Sequence, residues 1–566
     1  MELNHLQRTT ETRPQVAARR MRELSGPGSR ALEIATLVLV ATGLVAWLLG
    51  AGYLAFWLFS AAAVVVAFAF PLPVAFVSPL FMSLLGWLVD MQPFVLLAGW
   101  GAVVLRWLLM LVSERRPPRG GRWIWLPIGL AAWTVLGVIT VPTTEFRHFL
   151  LILGVQFLTS GTLLAVVDQM AGFEERVRVV AGLVALVVVM SIGVLLQFAG
   201  VPVQGLQDEE ISARVEAAYG LDAFPNNLEM IKYGLSKKAG AREFRAKMDR
   251  FAERTPGLPA FEVFLPRFRA YENSLVVRFS GSARAFEDEL RRADVELLYD
   301  NVGLTPANTV PRMRSFARNS LTYAGLCVVL FPLCFFLAWR GEGYRRWLGW
   351  VGVAACLFGS GFSLVRGSWM AILIGIAYLI VDGLISWRHK TQVVIAYLVG
   401  ALVLTGFFLV RYDIDPLNAR ALGKGSVTTR ASLYEDTVEA LGGIRFLVGF
   451  GTEQPRTDEG TSHVANRYVP DAGTHSTYLN FLFRAGVPAA LAIVAVYVIA
   501  WWRARAGSRR SDGPQRMFGA LLATSVVSAA AHAVILNLFT EPLYTLTVTL
   551  ILGLATLGAV RSAAPE

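Results

Sequence analysis

RVVAGLVALVVVMSIGVLLQFA, residues 178–199, carries a single charge, Arg178, at its first position. As a helix rising about 1.5 Å per residue, such a run spans the roughly 30 Å hydrocarbon core of a bilayer. Comparable runs recur from 31 to 200 and from 315 to 560. The composition agrees: of 566 residues, 55% are hydrophobic and 16% charged, and mean hydropathy is +0.52. Soluble domains carry about 25% charged residues, so this chain reads as a polytopic membrane protein.

The formal net charge of +11 would suggest nucleic acid if it were gathered on one surface. Instead the basic residues cluster in 1–30 (Arg13, Arg19, Arg20, Arg22, Arg30), 114–122 (Arg115, Arg116, Arg119, Arg122), 340–346 and 503–516, flanking apolar runs in alternation. That is how cytoplasmic loops orient membrane helices. The first span is too long for the core of a cleavable signal, and further spans follow it. Cys327, Cys334 and Cys356 all fall in apolar runs and predict neither a disulfide framework nor a metal knuckle.

Hydropathy and charge together predict about fourteen spans. The organisation is a basic cytoplasmic tail (1–30), membrane helices (31–199), an insertion (200–314), more membrane helices (315–410), a second outer loop (411–476) and C-terminal membrane helices (477–560). With the N-terminus in the cytoplasm, the basic loops 114–122, 339–346, 387–390 and 501–516 all fall inside. Pro71, Pro73 and Pro79 interrupt the second and third spans. The insertion mixes helical spacing (GAREFRAKMDRFAERT, SARAFEDELRRADVELL) with a strand-like NSLVVRF, which predicts a small mixed α/β domain. In the second loop, RASLYEDTVEALGGI reads as an amphipathic helix capped by Thr428 or Thr429. The expected fold is thus an all-α membrane bundle of about twelve to fourteen spans with a mixed extracytoplasmic insertion.

On this topology several outward helix starts carry polar side chains. Arg312, Arg314 and Arg318 precede the span near 315, Arg366 opens the span near 368, His475 precedes the span at 477, and Arg430 opens the loop helix. A helix N-terminus presents free N–H groups and about half a positive charge, and guanidinium adds paired donors that match phosphate oxygens. An arginine-lined diphosphate site is therefore reasonable. Nearby cations disfavour imidazolium, so His475 would stay neutral and suit general-base work. Other readings stand beside these: His475 as an interfacial polar residue, Arg314 and Arg318 as lipid-headgroup anchors, and Arg430 as a partner of Glu435. Arg366 is harder to treat so, in a short outer turn where basic residues are scarce. Arg106, inside the fourth span, is expected to snorkel inward.

Four pieces in order resemble the bacterial O-antigen ligase and O-antigen polymerase superfamily. SLVRGSWMAILIG (363–375) is similar to its arginine-glycine helix start. RASLYEDTVEALGGIRFLVGFGTEQ (430–454) is similar to its segment from an arginine to a glycine pair, here Gly449 and Gly451. THSTYLNFLFRAGVPAAL (474–491) is similar to its histidine motif, and PRMRSFARNSLTYAGL (311–326), more loosely, to its arginine-rich approach to a helix. Ser476 stands where asparagine is common, Val365 where serine is, and the 200–314 insertion is larger than usual.

The resemblance implies a metal-independent membrane glycosyltransferase with a GT-C-like fold and no cofactor. It would sit in the bacterial inner membrane with its site extracytoplasmic. It would take a glycan from an undecaprenyl-diphosphate-linked donor and join it, with inversion, to a hydroxyl of a glycan or glycolipid acceptor. Carried over, Arg312 or Arg314, Arg366 and Arg430 would hold the diphosphate, with Arg430 also stabilising the leaving charge. His475 would orient or deprotonate the acceptor, and Tyr478 would line the sugar site. The rival classes are a transporter or flippase of a lipid-linked glycan, and a metal-dependent transferase using Asp90 or the Asp413–Asp415 pair.

Overall fold

A computed structural model of the chain describes residues 28–88, 92–118, 125–140, 146–170, 172–198, 315–317, 320–363, 365–412, 441, 443–449, 476–536 and 541–557. These residues form fifteen helices and, among the described residues, no strand. The first seven are α1 (Gly28–Leu48), α2 (Gly52–Ala69), α3 (Leu72–Leu88), α4 (Gln92–Glu114), α5 (Trp125–Thr140), α6 (Phe146–Gln169) and α7 (Phe173–Phe198). Next come α8 (Ser320–Arg340), α9 (Tyr344–Phe362), α10 (Arg366–Val381), α11 (Trp387–Tyr412) and the four-residue α12 (Arg445–Val448). The chain closes with α13 (Thr477–Arg509), α14 (Gly513–Ile535) and α15 (Pro542–Leu557).

Eight of these helices are long and apolar enough to cross a membrane, while α3, α10 and α15 are apolar but shorter. Helices pair most of their backbone groups internally, as a bilayer requires, and this is an all-α polytopic membrane protein. The mixed insertion expected over 200–314, most of the basic tail and the amphipathic segment from Arg430 lie outside the described residues. The prolines of the second and third spans have distinct places. The first span of the pair, α2, ends at Ala69, Phe70 turns extended (φ −92, ψ 160), Pro71 precedes α3, and Pro73 lies in its first turn. A first turn needs no intrahelical N–H, so Pro73 is tolerated there. Pro79 lies inside α3.

The centre is α8, where every residue from Thr322 to Ala338 is buried, against α7, α9, α10, α14 and α15. Lipid tails are as apolar as leucine, so close packing rather than water exclusion must hold these helices together. Glycine supplies the closeness. Gly349, Gly352 and Gly359 turn one face of α9 onto α8, lying against the Ala338 backbone, Cys334, and Tyr323 with Cys327. The three cysteines are buried thiols in this seam, with Cys334 and Cys356 Sγ atoms 3.8 Å apart. By contrast α1 packs chiefly on α2 and leaves Leu37, Val45 and Leu48 exposed, as a lipid-facing helix does.

Charge sorts to one end of the bundle. Arg116 donates to both carboxylate oxygens of the buried Asp168, at 2.7 and 2.9 Å, and Trp107 Nε1 donates to the same carboxylate at 3.1 Å. The bond from Arg116 to Asp168 holds the Arg116 pKa above its ordinary value. Arg345 pairs with Glu174 at 2.7 Å and Arg505 with Asp382 at 3.1 Å. Lys390 donates to the Ile380 carbonyl at 2.7 Å. Arg106 reaches toward the same end and caps α2, donating to the Ala67 and Phe70 carbonyls at 2.9 and 2.7 Å. Here α4, α6, α8, α10 and α13 finish while α7, α9 and α11 begin. The opposite end holds the starts of α8, α10 and α13 and the finish of α14.

Candidate functional site

The last turn of α14 organises that opposite end. Every helix leaves its final carbonyls without intrahelical donors. At the end of α14 the first residues of α13 donate to carbonyls of and around its last turn. The Ser476 hydroxyl donates to the Ala533 carbonyl at 3.4 Å, and the Thr477 hydroxyl to the Leu536 carbonyl at 3.1 Å. The Tyr478 hydroxyl donates to the Ala530 carbonyl at 3.1 Å. One sequence, Ser-Thr-Tyr, thus starts one helix and caps another.

The start of α10 meets the same turn. Its N-cap, Val365, offers no side-chain cap. Gly367 lies flat against Ile535, where an added Cβ would approach Ile535 Cγ2 to 2.6 Å. Ser368 Oγ lies 3.2 Å from His532 Nε2, and His532 Nδ1 lies 3.2 Å from the Tyr544 hydroxyl of α15. Ser368 and His532 are wholly buried and Tyr544 is 1% exposed. Arg366, by contrast, is exposed at the first position of α10. The α10 and α13 N-termini therefore converge on α14 residues 530–536, each with its free N–H groups and partial positive charge.

Further along, α13 breaks. Gly486 has φ 74 and ψ −176, a conformation open essentially to glycine alone. Its missing side chain makes room for α12, whose Leu447 carbonyl would meet a Cβ there. Reciprocally, Gly449 (φ 72) lies against the Arg484 and Ala485 backbone. Trp133 Nε1 of α5 donates to the Ala485 carbonyl at 2.9 Å, bracing the break from the other side. Arg484 Nε is held by Asn480 Oδ1 at 3.0 Å, one turn before it. Beside α13 a small, open-sided apolar crevice of about 30 Å³ lies between α5, α6 and α15, lined by Leu130, Leu163, Phe481 and Leu552 among others.

Of the residues predicted from sequence, Arg366 and Tyr478 are described and meet α14 through their own turns. Tyr478 is partly buried, with its hydroxyl engaged by the Ala530 carbonyl and its ring edge-to-face with Tyr497. Arg312, Arg314, Arg430 and His475 lie outside the described residues, as do Asp90, Asp413 and Asp415 of the metal-dependent alternative. Among the described residues no cluster of three or more His, Cys, Asp or Glu side chains could hold a metal. Sequence reasoning missed His532 and Arg484. Both carried a usable signal, an ionisable side chain inside an otherwise apolar run.

Residues 351–494 match the family model Wzy_C, described as O-antigen ligase. The match contains Arg366, Arg430, Gly449, His475, Tyr478 and Gly486, and it ends before α14. Among curated proteins none matches the chain.

Proposed function

Because residues 351–494 belong to the O-antigen ligase/polymerase superfamily, we propose that this membrane protein is a glycosyltransferase acting on an undecaprenyl-diphosphate-linked glycan. It transfers that glycan to a sugar hydroxyl of a second glycan or glycolipid, with inversion and without a metal. The α10/α13 end of the bundle faces out of the cytoplasm of a bacterial inner membrane. The basic opposite end, with Arg116, Arg345, Lys390 and Arg505, supports that orientation.

The observation that carries the proposal is the convergence on α14: the helix opened by Arg366 and the residue that follows His475 are bonded to one turn. In the reaction, His475 accepts the acceptor hydroxyl's proton as its oxygen attacks the anomeric carbon. The anomeric carbon–oxygen bond breaks, and its electrons leave on the lipid diphosphate. Arg366, Arg430 and Arg312 or Arg314 neutralise that developing charge. Tyr478 lines the sugar site.

The test supplies purified protein with undecaprenyl-diphosphate glycan and candidate acceptors, and analyses the product by mass and anomeric configuration. A lengthened acceptor of inverted configuration, formed equally with and without chelator, is expected. His475→Ala should abolish turnover with donor binding nearly intact. Arg366→Ala should weaken donor binding by about 2–3 kcal/mol. Full transfer by both variants at normal expression would overturn the site.

A further inference from the structure

The buried chain Ser368–His532–Tyr544 spans three helices and lies partly beyond the matched segment. A neutral imidazole has one donor and one acceptor. Either Tyr544 donates to Nδ1 while Nε2–H donates to Ser368, or Ser368 donates to Nε2 while Nδ1–H donates to Tyr544. Both arrangements satisfy the ring. An imidazole enclosed in a membrane bundle is nonetheless a costly way to fill space that an apolar side chain would fill without hydrogen bonds. Packing alone does not account for one of only six histidines in the chain being placed there.

Its position does account for it. Ser368 lies in the first turn of α10, two residues after Arg366, and that turn lacks a side-chain cap. The contact of Gly367 with Ile535 sets how closely the turn approaches α14, and Trp369 Nε1, donating to the Ser360 carbonyl at 3.0 Å, ties the same turn to α9. The Ser368–His532 hydrogen bond adds the polar tie between that turn and α14 itself. The α13 start is bonded to carbonyls 530, 533 and 536, on either side of His532 at the end of α14. The ring thus ties the arginine-bearing turn to the scaffold that also holds the residue after His475.

We infer that His532 is a positioning residue for donor binding: through Ser368 it fixes the first turn of α10, and so the direction in which Arg366 presents its guanidinium to the anionic donor. This rests on the glycosyltransferase reading above. His532 touches neither donor nor acceptor.

The test is steady-state transfer with undecaprenyl-diphosphate glycan, separating donor KM, acceptor KM and kcat, alongside a thermal midpoint for each variant. His532→Asn keeps an amide near Nδ1 and loses Ser368, whereas His532→Gln reaches toward Nε2 and keeps it. His532→Asn and Ser368→Ala should each raise donor KM about tenfold, as expected for one misaligned charge-assisted contact, with acceptor KM unmoved. His532→Gln should restore donor KM to within about twofold, and the Asn/Ala double variant should match either single. In an Arg366→Ala background His532→Asn should add nothing to donor KM. Equal losses in the Asn and Gln variants that track a lowered midpoint would reduce His532 to a structural role and overturn the inference. So would an additive effect in the Arg366→Ala background, or an unmoved donor KM in Ser368→Ala. Those results leave wild-type transfer intact. A wild-type protein that moves no glycan overturns the function itself, and the inference with it.

Discussion

Alanine at Gly486 should undock α12 while leaving the bundle standing. Two costs arise together. The backbone at φ 74 and ψ −176 is closed to a residue with a Cβ, at about 1–3 kcal/mol. The Cβ would also run into the Leu447 carbonyl, which is backbone and has no rotamer to escape into, adding about 1–3 kcal/mol as overpacking does elsewhere. Their sum exceeds what a four-residue helix gains by docking, so the cheaper response is for α12 to leave. A shift of about 2 kcal/mol already lowers the docked-to-undocked ratio roughly thirtyfold. If the docked arm, which continues from Arg430, completes the site, transfer should fall by up to that factor. Gly449→Ala should do the same, because its Cβ would strike the Arg484 and Ala485 backbone, and the double variant should be little worse than either. Gly443 supplies the control: its φ is 56, yet nothing lies within 4 Å of an added Cβ, so Gly443→Ala bears only a conformational cost of about 1 kcal/mol. The assay is glycan transfer beside a thermal midpoint in detergent. Equal damage from Gly443→Ala and Gly486→Ala, or full transfer by Gly486→Ala, would refute the docking argument.

Two further outcomes concern stability. Asp168→Asn removes the carboxylate that accepts from Arg116 and Trp107. Because Arg116 is partly exposed, the loss should be about 2–3 kcal/mol, below that of a fully enclosed pair, read as a lower thermal midpoint. Trp133→Phe keeps the ring but loses the donor to the Ala485 carbonyl. It should cost about 1 kcal/mol and make the effect of Gly486→Ala worse than additive, since both loosen one break in α13.

What could be read in the chain beforehand follows from the range of each interaction. Membrane crossing is set by the apolar content of about 20 successive residues, so spans such as 178–199 announce themselves. Pro71 and Pro73 mark a turn for equally local reasons. Which span sits at the centre is a different matter. The run 320–340 is no more apolar than 173–196, with hydropathies of 2.2 and 2.9, yet it is the former that is almost entirely enclosed. Burial in a bilayer is chosen by small residues on the partner, here Gly349, Gly352 and Gly359, and not by hydrophobicity. The site divides in the same way. Arg366 stood out because a cation in a short outer turn breaks the local charge pattern. His532 did not, because its meaning depends on Ser368, 164 residues away, and on Tyr544 in a third helix. Gly486 and Pro488 are locally compatible with a kink, but only the arrival of α12 gives that kink a purpose. The chemistry of this end is therefore written in single residues, while its geometry is written in pairs that the linear order separates. A family pattern can preserve the former across 351–494 and still stop short of α14, the helix on which both of its described arms rest.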